Sequence, residues 1–161
     1  MRLKNKVAFI TGGSGIGEAA AELMAREGAK VAVLSRTMDD VERVAKGIDL
    51  SGHNVLPVAA DVSRTEDVAQ AVDKLICKWK RLDVLLANAG INGVLALIEE
   101  LTPEEWTETL AVDLTGTFLT VKYSVPHLKK RGGSITIDSS VNGTRMLSNI
   151  GASVYATSRA G

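Results

Sequence analysis

The chain has 161 residues, the size of one domain with a single hydrophobic core. Lys plus Arg and Asp plus Glu both number 19, a balance that argues against nucleic acid or an anionic membrane as partner and leaves a small molecule. Aromatic residues are only 4% of the chain, while Ala, Val, Leu and Gly are plentiful, which suits helices packed closely on a parallel sheet.

The N-terminus, Met1 to Lys6, runs directly into an apolar strand, Val7 to Ile10. It has no long apolar segment and no cleavage pattern, so a cytoplasmic chain without a membrane span is expected. Thr11 to Gly17 then reads T-G-G-S-G-I-G before a helical pattern that begins near Glu18. Gly12 and Gly13 permit a tight turn, and Gly15 and Gly17 remove side chains where a diphosphate would approach the main chain. The free N–H groups of the first helical turn and the positive end of its dipole face that anion, with Ser14 and Ile16 between the glycines.

Ile16, Ala19, Ala20, Leu23 and Met24 recur at helical spacing up to Gly28, and Lys30 to Leu34 reads as a second buried strand. That completes a βαβ unit. Ser35 and Arg36 close the strand, where an acidic side chain would take the two ribose hydroxyls of NAD and a basic one would tolerate the 2′-phosphate of NADP. With no carboxylate at that spot, NADP(H) is favoured over NAD(H). A second helix is expected from Asp39 to about Leu50, ended by Ser51-Gly52, and a third strand from Asn54 to Ala59. Pro57 lies within that strand and places it at a sheet edge.

Asp61-Val62 follows at the strand's carboxyl end, and Ser63-x-x-Glu66 is a capping box for a helix whose apolar stripe runs from Val68 to Trp79. Leu82 to Ala87 is a fourth strand ending in Asn88-Ala89-Gly90. A loop from Ile91 to Glu100 leads to Thr102-Pro103-Glu104-Glu105, a capping box with proline in its first turn. The long helix it opens extends toward Arg131, with bends expected at Gly116 and Pro126, and its length predicts a homo-oligomer contact. Ser134 to Asp138 supplies a fifth strand. Cys77, the only cysteine, excludes an internal disulfide, and its apolar helical neighbours suggest a packing or inert role rather than a catalytic one. His53 and His127 have no partners at ligand spacing, so no metal site is expected.

The T-G-G-S-G-I-G turn, the N-A-G triplet, the S-S-V-N-G stretch from Ser139 to Gly143 and Tyr155-Ala-Thr-Ser-Arg159 come in an order that resembles the short-chain dehydrogenase/reductase family. The resemblance implies one α/β, Rossmann-like domain over residues 1–161, a doubly wound parallel sheet with helices on both faces and five strands present. It also implies that Asp61 and Val62 meet adenine, and that Asn88, Ala89 and Gly90 pass under the cofactor. Ser140 would hold the substrate oxygen and Tyr155 would exchange its proton. Position 159, on the helix face of Tyr155, would be the family's ribose-binding Lys, whose cation favours the phenolate; here it is Arg159. Arg keeps the charge and will not release a proton near neutrality. The family's relay Asn in the long helix is matched by Asp113, which is either a solvated helix residue or a partner for Arg159.

The resemblance spans all of this chain and the N-terminal part of a typical member, so a strand edge and an apolar face are expected to be uncovered. An NAD(P)(H)-dependent oxidoreductase interconverting alcohol and carbonyl is the leading expectation. The alternatives are a noncatalytic nucleotide-binding or subunit-interaction fragment and a chain that does not fold alone.

Overall fold

In the computed structural model of the chain, residues 1–145 and 151–161 are described. Five parallel strands, β1 (Val7–Thr11), β2 (Lys30–Ser35), β3 (Val55–Ala59), β4 (Val84–Ala87) and β5 (Ser134–Ile137), lie in the order β3-β2-β1-β4-β5. Thr11 is level with Leu34 on one side and Ala87 on the other, so three central strands end together. Pro57 sits in β3, which is an edge strand, as its missing N–H requires.

Successive residues of a strand face opposite sides, and both sides here are covered. Phe9, Leu34, Val58 and Leu85 pack under α3 (Thr65–Trp79) and α5 (Gly116–Leu128), in a cluster that includes Val68, Leu75 and Leu119. Their neighbours Ile10, Val33 and Leu86 pack on the other side with Val41 and Val44 of α2 (Met38–Ile48) and Ala21 of α1 (Gly15–Arg26). The last strand differs. All four residues of β5 are exposed, with Ile137 at 53%, so an uncovered apolar strand lies at the second edge.

The capping box expected at Ser63 is not formed. The Asp61 carboxylate accepts from both the N–H and the hydroxyl of Ser63, at 2.9 and 2.7 Å, and this local turn takes the hydroxyl before it can cap a helix. The helix starts instead after Arg64, with no side-chain cap. At Thr102 the expected box is present: its hydroxyl accepts from the Glu105 N–H and the Glu105 carboxylate accepts from the Thr102 N–H.

The long helical run is three pieces, α4 (Pro103–Leu110), a π-helical turn (Ala111–Thr115) and α5, and it ends at Leu128 rather than Arg131. The irregularity falls before Gly116 instead of at it. Gly116 is needed for contact, since a Cβ there would lie 2.8 Å from Val62. Cys77 is exposed on α3 and does not pack in the core, so of the packing and inert roles its neighbours suggested the packing role does not hold. Among the described residues no helix is long and apolar enough to cross a membrane, and no cluster of His, Cys, Asp or Glu could hold a metal.

Candidate functional site: a nucleotide cleft and a buried ion pair

The turn between β1 and α1 is held open by backbone shape. Gly12 and Gly15 have φ of +92° and +54°, in the left-handed region. A Cβ on Gly17 would fall on the Gly12 carbonyl and 2.8 Å from Asn88 Nδ2, so glycine there lets α1 start tight against the sheet. At Gly15 nothing lies within 4 Å of where a Cβ would point, and Ser14, Gly15 and Ile16 are exposed. The first turn of α1 thus opens onto free space, a cradle for an anion, although the Gly17 N–H is already donated to the Ser14 carbonyl at 3.2 Å. Glu18, in that same first turn, would oppose an anion. Its carboxylate is hydrogen-bonded to the Arg43 guanidinium of α2, which holds it below the usual carboxylate range.

Thr11 staples the strand ends that flank the turn. Its hydroxyl accepts from the N–H groups of Asn88 and Ala89, both at 3.1 Å, and its carbonyl accepts from Asn88 Nδ2 at 2.9 Å. On the other side Gly13 lies against Ser35, where a Cβ would be 3.1 Å from that side chain. The result is a cleft of about 250 Å³ at the carboxyl ends of β1, β2 and β4, lined by Gly12, Gly13, Ser14, Ser35, Arg36, Asp61, Val62, Ala89 and Gly90. Nine residues singled out from separate motifs thus share one surface. Gly15, Ile16, Gly17 and Asn88 stand at its edge or behind its wall.

These residues fit a dinucleotide: a glycine cradle for the diphosphate, apolar Val62 beside an adenine, and Ser35 and Arg36 at the strand end where ribose falls. The cleft is smaller than the roughly 300–1,000 Å³ that encloses a drug-sized ligand, and suits the nucleoside end of such a molecule.

A second group of residues gathers where β4, the π-turn and α6 (Ser153–Ala160) meet. Asp113 is 2% exposed and lies in the π-turn, a rare irregularity that often marks functional sites. One carboxylate oxygen accepts from the Ile91 N–H at 2.7 Å, and the other from the Ser158 hydroxyl at 3.0 Å. Arg159 Nε is 3.4 Å from Asp113, so the two are paired. The guanidinium also donates from Nη1 to the Asp138 carbonyl at 3.0 Å, lies against Gly90, and stands 5.1 Å from the centre of the Tyr155 ring. Ser140 caps a short turn (Val141–Gly143) by accepting from the Asn142 N–H at 3.2 Å. That turn touches the end of α6 at Gly143, and the Ser139 hydroxyl donates to the Arg159 carbonyl at 2.6 Å.

Gly90 links the two groups, since it lines the cleft and touches both Arg159 and Asp113. Thr11, Ser158 and the Ile91 N–H were not singled out from the sequence. Thr11 and Ser158 stood inside the quoted motifs, next to residues that were chosen, and position within those motifs was the only available signal.

A family profile described as short chain dehydrogenase matches residues 6–161. The 3-oxoacyl-[acyl-carrier-protein] reductase of Thermotoga maritima is 37% identical over 163 aligned residues, covering 100% of this chain and 65% of that protein. The cis-4-hydroxycyclohexanecarboxylate dehydrogenase of Sinomonas cyclohexanicum is 37% identical over 97% of this chain and 62% of its own length. Among solved structures, a 3-ketoacyl-ACP reductase from Sinorhizobium meliloti superposes with a TM-score of 0.92 at 49% identity, over 96% of this chain and 61% of that one. A 3-ketoacyl-(acyl-carrier-protein) reductase from Brucella melitensis, complexed with NADH, gives 0.91 at 34% identity, over 98% and 66%. The chain thus spans a little under two thirds of the length of these relatives, and with its glycine turn, strand order and Tyr155 helix it belongs to the short-chain dehydrogenase family.

Proposed function

We propose that this chain binds NAD(P)(H) and serves an oxidoreductase that interconverts an alcohol and a carbonyl compound, with NADP(H) favoured over NAD(H). The observation that carries the reading is the single cleft shared by the glycine turn, Ser35-Arg36, Asp61-Val62 and Ala89-Gly90. A bound nicotinamide cofactor supplies or accepts the hydride. The Ser140 hydroxyl donates to the substrate oxygen and Tyr155 gives or takes its proton, a contribution on the order of 10²–10⁴-fold for a positioned acid or base. Arg159 keeps a cation over the Tyr155 ring but cannot relay a proton, and Asp113 is committed to Ile91, Ser158 and Arg159.

Equilibrium titration with NADPH and NADH tests the reading. The expected result is tighter NADPH binding that Arg36→Ala selectively weakens; equal affinities overturn the preference, and no binding of either overturns the nucleotide assignment. Reduction of a carbonyl panel by this 161-residue chain is expected to be weak. Turnover is expected to rise when the chain is fused to a family C-terminal half, and further with Arg159→Lys and Asp113→Asn. Robust turnover by the parent, lost in Tyr155→Phe, overturns that expectation.

A noncatalytic nucleotide-binding or subunit-interaction role is the second reading, supported by the Asp113–Arg159 pair and the uncovered β5. Binding without turnover in the fused chain would favour it. The helical run from α4 to α5, expected over 102–131 and ending at Leu128, is the proposed homo-oligomer contact, with Leu114 and Phe118 exposed at 37% and 57%. A monodisperse monomer at micromolar concentration in sedimentation argues against it.

A further inference from the structure

The wall of the nucleotide cleft that carries Arg36 also carries a carboxylate. Asp40, in the first turn of α2, lines the same cleft as Ser35, Arg36 and Thr37. Thr37 occupies the N-cap position of α2 and yet makes no cap bond to its backbone. Its hydroxyl donates instead to the Asp40 carboxylate. That bond restrains the exposed Asp40 side chain to the cleft side of the helix. The nearest helix cation, Arg43, is engaged by both oxygens of Glu18, so Asp40 has no ion pair among the described residues. Arg36 is likewise exposed and has no ion pair among the described residues. Arg43 feels the Asp40 charge but is paired with Glu18, so two charges of opposite sign, neither in an ion pair among the described residues, share the wall beside Ser35. A ribose would lie there, because Ser35 touches Gly13 of the diphosphate turn.

We propose that Asp40, held by the Thr37 hydroxyl, is a specificity-determining residue whose carboxylate opposes the 2′-phosphate that Arg36 attracts, so that this chain separates NADP(H) from NAD(H) less sharply than Ser35-Arg36 alone would. The inference rests on the nucleotide reading above. It concerns a residue four positions beyond Arg36, past the strand end where sequence rules look for the determinant. The opposition is between solvent-exposed charges, so its size is modest and it falls with salt.

Cofactor binding, followed by the fluorescence of NADPH and NADH, tests it without any requirement for turnover. Asp40→Asn keeps an oxygen that can accept from Thr37 and removes the charge. It is expected to tighten NADPH roughly two- to fivefold, to leave NADH unchanged, and to lose that gain in molar salt. Asp39→Asn, an exposed neighbour that does not line the cleft, removes the same net charge and is expected to change neither cofactor. Unchanged or weaker NADPH binding in Asp40→Asn overturns the proposal. An equal gain in Asp39→Asn also overturns it, because net charge and not a placed carboxylate would then be responsible. Failure of the parent and both variants to bind either cofactor overturns the nucleotide reading itself.

Discussion

Two buried carboxylates, one at each end of the sheet, are held in different ways. Asp83, at the amino end of β4, accepts from the Val7 N–H of β1 at 2.9 Å and from two nitrogens of Arg81, with Lys6 at 3.7 Å. Arg81 is two positions away, and Val7 and Lys6 belong to the start of the neighbouring strand and the residue before it. Asp113, at the carboxyl end, gathers partners 22 and 45 residues distant, Ile91 after β4 and Ser158 in α6, together with Arg159. The Arg81 fork is matched to its carboxylate. Arg159 is drawn between Asp113, the Asp138 carbonyl and the Tyr155 ring, and its buried Nε has no hydrogen bond among the described residues. The amino end is thus built to hold two strands in register, whereas the carboxyl end holds a cation in place beside a tyrosine and leaves one of its donors unused.

The largest expected effect follows from the deeper burial of the Asp113–Arg159 pair. Asp113→Ala leaves Arg159, which is 11% exposed, without its counter-charge and strands the Ile91 N–H, while the Ser158 hydroxyl keeps the Tyr155 carbonyl as acceptor. A cost of about 3–5 kcal/mol is expected from denaturant unfolding, as for other buried pairs that lose one partner. Asp83→Ala should cost less, about 2–3 kcal/mol, because Arg81 is 27% exposed and regains water when released. If Asp83→Ala proves the costlier, the carboxyl-end cluster is not the tighter knot and the comparison fails.

Acid separates the contribution of Asp83 from the rest. Burial pushes its carboxyl up, but the hydrogen bonds from Arg81 and Val7 and the charges of Arg81 and Lys6 outweigh this and leave it below its ordinary value of 3.8. A carboxylate with a lowered folded value adds stability that is complete above the unfolded value and disappears as pH falls through the folded one. The penalty of Asp83→Asn, measured by unfolding from neutral pH downward, is therefore expected to stay constant to about pH 4 and to shrink below it. Asp49, lowered to about 2 by the Ser51 hydroxyl and the Asn54 N–H, loses its contribution over the same fall below about pH 4 and should leave a residual acid sensitivity in the variant. A penalty that does not change with pH would mean that Asp83 acts by shape and not by charge.

Local rules made one end of the molecule more legible than the other. The glycine turn, the edge placement of β3 and the Thr102 box each depend on residues within a few positions, where backbone angles, a missing N–H or a single hydroxyl decide the outcome. Ser63 misled for the same local reason, since Asp61, two residues earlier, competes for its hydroxyl. The π-turn could not be read, because Trp106, Leu110, Leu114 and Phe118 keep an ordinary helical spacing through it. The pairing of Asp113 with Arg159 was one of two readings open at that position, but its three-way tie to Ser158 and the Ile91 N–H depends on tertiary contact that carries no spacing signal. The uncovered strand edge expected from the family resemblance is β5, where Ile135 and Ile137 are both exposed.

The smallest expected effect tests the unused donor. Lys replaces the guanidinium fork by a single ammonium, so it cannot reproduce a two-point contact but can reproduce a one-point contact. At Arg81 the two nitrogens both reach Asp83, and Arg81→Lys should cost about 1 kcal/mol through the lost second bond. At Arg159 only the Asp138 carbonyl receives a well-formed bond, the Asp113 contact being one of charge at 3.4 Å, and an ammonium can serve both. Arg159→Lys should therefore change unfolding free energy by less than about 0.5 kcal/mol, within the range of a substitution that disturbs no buried network. Denaturation of the two single variants beside the parent decides the matter. If Arg159→Lys costs as much as Arg81→Lys, then the guanidinium at 159 is gripped as firmly as the one at 81, and the carboxyl end of the sheet is a structural clamp like its counterpart.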